Sequence, residues 1–356
     1  MSADGRKRLS AIGLLAIPLL GLAAGCEPRS DRLPGGMPNE SLVVLVDGGS
    51  PWWRWASVVS AARAAQRRYT FLRVEALPAP AGDSNAETLI AAALARHPRA
   101  IAFVSEAPPP EARFAEMRQR IAREGVVLIT ADTLPQDGAG GAHVCIDLTS
   151  GAELLAEQLE TLAAGGRSCL LFHEGSASAD PPRRAVRDRF LDRVRSHEAV
   201  KVLNDWEEPN TAAAAVTAAG AVLDDYRNAS LVVSLHPALR PETLGAGRAA
   251  RLWALLGATP AQWPRVDAGG VVALAGVLDG KIGTGIAELV AQQLTNGGQE
   301  PGVRVISCEL VTRATLDDFA IRYATAADTT VEALWPGHVA TPRTTSTSAP
   351  AGATRP

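Results

Sequence analysis

Aromatic side chains are scarce in this 356-residue chain, at 4% of the total, and cysteine occurs only four times. Lysine is rarer than arginine, and the formal charge of −3 is too small for the basic surface of a nucleic-acid-binding protein. No apolar run reaches the length of about 18 residues that a membrane-spanning helix needs. The sequence contains no G-x-S-x-G, no H-E-x-x-H and no G-x-x-x-x-G-K-[ST]. The usual signals of hydrolase, zinc-protease and phosphate-loop chemistry are therefore missing, and the reading is a non-enzyme without a cofactor.

Against this scarcity, the stretch "SPWWRWA" places three of the seven tryptophans at positions 52, 53 and 55. It follows the apolar run "LVVLVDGG". The rest of the composition is that of a folded protein, 47% hydrophobic and 21% charged.

The N-terminus opens with Arg6, Lys7 and Arg8, followed by the uncharged, mostly apolar Ala11 to Gly25. That length suits a signal-peptide core. The stretch ends in "LAAGC", with Leu22 and small residues Ala23, Ala24 and Gly25 before Cys26. This resembles a bacterial lipobox, which implies a lipoprotein signal peptide over 1–25 and acylation at Cys26. The plainer reading is an ordinary cleaved signal with a chance cysteine. Residues 26–40 are polar, rich in Pro and Gly, and read as a tether. The segment 334–356 is Pro/Thr/Ser-rich and reads as a disordered tail. Cys145, Cys169 and Cys308 lie in strand-like runs and read as buried thiols, with one disulfide left open.

Between these ends, short apolar runs alternate with helical patterns. "SLVVLVDG" (41–48), "TFLRVEAL" (70–77), "AIAFVS" (100–105), "VVLITAD" (126–132) and "HVCID" (143–147) read as strands. The pattern restarts with "SCLLFHEG" (168–175), "VKVLNDW" (200–206), "SLVVSLH" (230–236), "RLWALLG" (251–257), "GVVALAGVL" (270–278) and "VRVISCELV" (303–311). Alternation of this kind implies an α/β fold with parallel sheets covered on both faces. The number of strands favours two doubly wound lobes joined by a hinge over one sheet. The ligand crevice of such sheets lies beyond the carboxyl ends of the strands. Residues there include carboxylates, hydroxyls, an imidazole and tryptophans, which suit a small polar ligand with hydroxyls and an apolar face.

Several segments carry a resemblance to the type 1 periplasmic (ribose/galactose-binding-like) solute-binding proteins. "SPWW" stands where that family has Asn-Pro and aromatics. "VLITAD" resembles its fourth strand, "CIDLTSGAELLAEQL" its hinge and following helix, and "GKIGTGIAELVAQQLTNG" its returning helix. The resemblance implies a first lobe over 41–147 plus 270–302 and a second over 148–269 plus 303–333. It implies ligand contacts from Ser50, Trp52, Trp53, Asp132, Asp147, Arg187, His236 and Thr259. Each has a plainer reading. Neighbouring indoles on a helix point different ways, so some should pack on the core, and Asp132 and Asp147 could cap helices or turns. The second-lobe arginine can be matched to Arg187 or, in another register, to Val186. His236-Pro237 and Ala258-Thr259 depart from the family's pattern. "GKIGTG" reads as a close-packing glycine run. His143 and Cys145 share a strand face, but no third ligand is near, so no metal site is assigned. The implied function is capture of a sugar-like ligand or polyol by lobe closure, with delivery to an ABC transporter permease from a lipid-anchored, extracytoplasmic position. The alternative is a sensory or structural lipoprotein of the same fold without import.

Overall fold

The computed structural model describes residues 41–339, except 49, 51, 80–85, 106–110, 133–140, 163–167, 175–180, 196–200, 209–211, 237–238, 245–247, 249–250, 258 and 297–301. The expected signal peptide, Cys26, the tether and the segment from 340 onward lie outside the described residues.

The first sheet has the order β2(Leu72–Leu77)-β1(Ser41–Asp47)-β3(Ala100–Ser105)-β4(Val127–Asp132)-β5(Ala142–Asp147)-β11(Val303–Ser307), with every pair parallel. The residues of β3 are all buried, as expected of a strand covered on both faces. Helix α1(Trp52–Ala65) packs on one face and α2(Ala86–Leu94) and α3(Glu111–Arg123) on the other. Strand order reverses between β1 and β3, so the first lobe has its switch point where α1 begins.

The second sheet has the order β7(Lys201–Glu208)-β6(Ser168–Glu174)-β8(Leu231–Ser234)-β9(Leu252–Leu256)-β10(Val271–Gly276)-β12(Glu309–Val311). It carries α4(Leu148–Leu162), α5(Pro181–Arg195), α6(Ala212–Asp225) and the short α7(Trp263–Asp267). The chain then crosses back through α8(Gly280–Thr295), which packs on α1, and ends in α9(Leu316–Ala326) and α10(Val331–Leu334). One apolar cluster runs from Val43 and Leu45 of the first sheet through α1, α8 and α4 to Leu171, Val233 and Ala254 of the second.

Three points differ from the expectation. Val271–Gly276 pairs with β9, so the run at 270–278 belongs to the second sheet, not the first. The run "VRVISCELV" is two strands. Its first half pairs parallel with β5 in the first sheet, and Glu309–Val311 pairs antiparallel with β10 in the second. Apolar patterning marks strand residues but not which sheet receives them, and the chain changes sheets at Cys308 without losing its pattern. Finally, the expected tail begins at 334, whereas Trp335 is buried and His338 stacks on its ring at 3.4 Å. Thr330 caps α10 by accepting from the Ala333 amide, and His338 Nε2 lies 2.8 Å from Asp317 Oδ1.

The second lobe's core holds three further indoles, Trp253, Trp263 and Trp335. Trp263 is fully buried and meets Phe319, Tyr323 and Trp335 edge-on, at centroid distances of 6.3, 5.4 and 6.1 Å. Such tilted pairs align ring edges with ring faces and add to simple area burial.

Candidate functional site

The carboxyl ends of β1, β3 and β4 meet at the first lobe's switch point. Asp47 Oδ1 accepts from the Ser50 amide at 2.8 Å, which turns the chain sharply after β1. Ser50 Oγ donates to the Val104 carbonyl at 3.3 Å, and Ser105 Oγ donates to the Gly48 carbonyl at 3.0 Å. These bonds tie the β1 turn to the end of β3. Asp132 lies beside Ser105 in strand register. It has φ of +82°, a left-handed conformation that costs non-glycine residues free energy and concentrates at functional sites.

Arg54, in the first turn of α1, is the centre of the charged network here. Its Nη1 donates to Asp132 Oδ2 at 2.6 Å, and its Nε donates to Asp279 Oδ1 at 3.1 Å. The side chains are 14%, 7% and 2% exposed respectively. Asp279 stands just before α8, where the chain re-enters the first lobe. Its carboxylate makes no cap to that helix. It accepts instead from Tyr323 Oη at 2.6 Å, and Ser57 Oγ lies 3.4 Å from the same phenol oxygen. Burial raises the Asp279 pKa above the ordinary 3.8, outweighing the attraction of Arg54 and the hydrogen bond from Tyr323. Burial, reinforced by Asp279, also raises the Tyr323 pKa, which keeps the phenol protonated as a donor. The network thus joins α1 and β4 of the first lobe, the crossover before α8, and α9 of the second lobe.

Of the expected site residues, Ser50 and Asp132 come together at this edge. Trp53 is half-buried, while the Trp52 side chain lies outside the described residues. Trp55 packs on the core cluster. Asp147 Oδ1 accepts from the Ser150 amide at 3.0 Å and caps α4, its plainer reading. It also lines an open cavity of about 480 Å³ with Ser150, Glu153, Asp188 and Arg189. Arg187 binds its neighbour Asp188 at 2.8 Å, and Val186 points into the core, so the second register offers no polar group. His236 closes a turn, its carbonyl accepting from Ser234 Oγ at 3.1 Å. Thr259 is buried, with its amide and hydroxyl both donating to Gln262 Oε1 at 3.1 and 3.0 Å. The structure therefore does not bring Thr259 or His236 to the first-lobe cluster.

Sequence reasoning missed Arg54, Asp279 and Tyr323. Arg54 was hidden inside the tryptophan run, although a lone arginine among indoles beside a strand end is itself a signal. His143 and Cys145, to which no metal site was assigned, have other partners. His143 hydrogen-bonds Thr130, and Cys145 Sγ donates to the Arg304 carbonyl at 3.7 Å. Among the described residues no group of three His, Cys, Asp or Glu could hold a metal. The three cysteines are free and buried.

Two doubly wound lobes, three crossings of the chain between them and a polar cluster at a switch point define a two-lobed binding protein of the type I periplasmic fold. Residues 42–300 match the model of the periplasmic binding protein domain family, and the chain belongs to that family. It is a family of binding proteins, not enzymes. The arabinose-binding protein AraP of Geobacillus stearothermophilus superimposes with a TM-score of 0.65 at 16% identity, covering 79% of this chain and 99% of that one. A solute-binding protein of Agrobacterium vitis bound with α-D-tagatopyranose gives 0.62 at 19%, covering 79% and 98%. The glucose-galactose binding protein GanP of Geobacillus stearothermophilus gives 0.62 at 17%, covering 78% and 99%. No curated protein sequence matches this chain. Among the described residues no helix is long and apolar enough to cross a membrane.

Proposed function

We propose that this chain is a lipid-anchored solute-binding protein that captures a sugar or polyol between its lobes and hands it to an ABC transporter permease. The observation that carries the reading is the Arg54–Asp132 pair at the β1/β3 switch point. A carboxylate accepts from one hydroxyl of a polyol while the neighbouring guanidinium donates to the next, so the pair matches adjacent hydroxyls. Trp53 beside it offers an apolar face for the carbon skeleton. Further support comes from the relatives, whose structures hold α-D-tagatopyranose, D-arabinose and allitol. Closure around the ligand would bring second-lobe groups, Arg187 first among them, onto its far side. The anchor rests on the lipobox resemblance at Cys26, and the permease on the family's membership in import systems.

The test is a thermal-unfolding screen of the full chain against sugars, polyols, nucleosides and amino acids. A ligand at a hundred times its dissociation constant adds about 2.7 kcal/mol to stability. A sugar or polyol should raise the midpoint, and the rise should vanish in Asp132→Ala. A hit confined to amino acids or nucleosides, or one that survives Asp132→Ala unchanged, contradicts the reading.

A further inference from the structure

We propose that Asp279 and Tyr323 are positioning residues that set which sugar epimer the chain prefers, by holding the Arg54 guanidinium in one orientation. This rests on the proposed reading of Arg54 and Asp132 as the ligand contacts. A guanidinium is a planar fork of donors, so a single partner lets it pivot and two partners in different directions do not. Arg54 meets Asp132 through Nη1 and Asp279 through Nε. Asp132 ends β4 and Asp279 stands in the crossover before α8, so the two carboxylates come from separate elements. When a ligand hydroxyl competes for Asp132, Asp279 is the carboxylate that keeps the direction of the fork.

Asp279 is itself held at both oxygens, Oδ1 by Arg54 and Oδ2 by Tyr323 Oη. Ser57 Oγ lies 3.4 Å from the same phenol oxygen, and Ser57 follows Arg54 by three residues on one side of α1. Arg54, Asp279, Tyr323 and Ser57 thus close a ring of contacts that returns to the helix it left. The Tyr323 ring is wedged in turn, with Trp263 edge-on at 5.4 Å and Phe319 at 6.0 Å. Asp279 and Tyr323 are 1% and 0% exposed, so neither touches a ligand and both act through Arg54. Two plainer roles do not account for Asp279. Aspartate is a preferred N-cap, yet at the N-cap of α8 its side chain makes no capping bond. A bolt between α1 and α9 needs no charge, because well-packed apolar groups often replace a buried ion pair at equal or better stability. Orientation of a ligand-facing arginine does need the carboxylate. Epimers differ in the direction of one hydroxyl. A fixed donor matches one of them, whereas a pivoting donor serves both. A charge-assisted hydrogen bond aligned for one epimer alone is worth about tenfold or more in affinity.

The test is titration calorimetry of the full chain with epimer pairs: D-arabinose with D-ribose, D-tagatose with D-fructose, D-galactose with D-glucose, and galactitol with D-glucitol. The wild type should favour one member of a pair by about tenfold or more. Tyr323→Phe removes only the phenol oxygen and should bring that ratio toward one. Should this variant fail to fold, as read by circular dichroism, Asp279→Asn carries the same test with the same expected fall. Phe319→Leu loosens the packing of α9 without touching the ring of contacts, and it should keep the wild-type ratio. A wild type that binds both epimers equally overturns the proposal, as does a ratio that stays at its wild-type value in Tyr323→Phe. An equal fall in Phe319→Leu overturns it too, since looser packing and not orientation would then be the cause. Loss of both epimers alike in the folded variant would assign these residues to affinity and not to selectivity, which also overturns it. In each of these cases the sugar reading stands. If the wild type binds no member of any pair, the sugar reading itself fails and the positioning role falls with it.

Discussion

Arg54 holds two carboxylates at once, and its removal should expose the cost of each. Arg54→Met leaves Asp279 buried without its cation, and breaking a buried pair from one side costs about 3–5 kcal/mol. Urea unfolding should show a loss in this range, partly recovered when Asp279→Asn is added. The pH dependence follows from the raised Asp279 pKa. The folded state holds that proton more tightly than the unfolded chain, so the group's ionisation weakens the fold as pH rises from the ordinary 3.8 through the folded value. Lowering pH from 7 toward 4 should therefore improve wild-type stability relative to Asp279→Asn, read as the difference in urea midpoints. An unchanged or opposite difference would show that Arg54 and Tyr323, not burial, govern the carboxylate. At this scale the sequence made Asp132 legible, because a strand-ending Asp is a local feature. Asp279 and Tyr323 were not, because Arg54 lies 225 residues from Asp279 and only folding joins them.

Among the elements, α8 shows how little space separates the pieces. A Cβ on Gly283 would come within 2.1 Å of the Val58 carbonyl oxygen of α1, and one on Gly280 within 2.0 Å of the Ala326 carbonyl oxygen. The glycine run was legible as a close-packing device: Gly280 and Gly283 meet helix backbones, and Gly285 faces Val144 and Arg304 of the first sheet. Gly283→Ala should destabilise by about 1–3 kcal/mol or more, since backbone on both sides must move. Thermal unfolding checks it, and an unshifted midpoint would show that α1 and α8 separate freely. Burial pushes the thiols of Cys169 and Cys308 up to about 12, and Cys308 Sγ donates to the Asp147 carbonyl at 3.3 Å. Neither these nor Cys145 should react with a thiol reagent at pH 8 until denaturant is added. Helix α9 was absent from the sequence reading, although Leu316, Phe319, Ala320 and Tyr323 repeat at helical spacing and are all buried. The preceding strand run drew the boundary too early.

At the scale of the molecule, the alternation of strands and helices was enough to anticipate two doubly wound lobes, since each short apolar run needs cover on both faces. The crossings at 276–280 and 307–309 were not legible, because they fall inside continuous patterns. They are also where the two sheets share one apolar cluster and where Asp279 links Arg54 to Tyr323. A ligand that engages Asp132 and Arg54 therefore acts on the same network that spans the hinge. The most direct measurement is the distance between spin labels on Ala112→Cys of α3 and Arg184→Cys of α5, both exposed and both near the crevice ends of their helices. The expected result on adding the sugar or polyol identified by the screen is a shorter distance, with no change in the Asp132→Ala background. A distance that stays the same while the site is saturated would contradict capture by lobe closure.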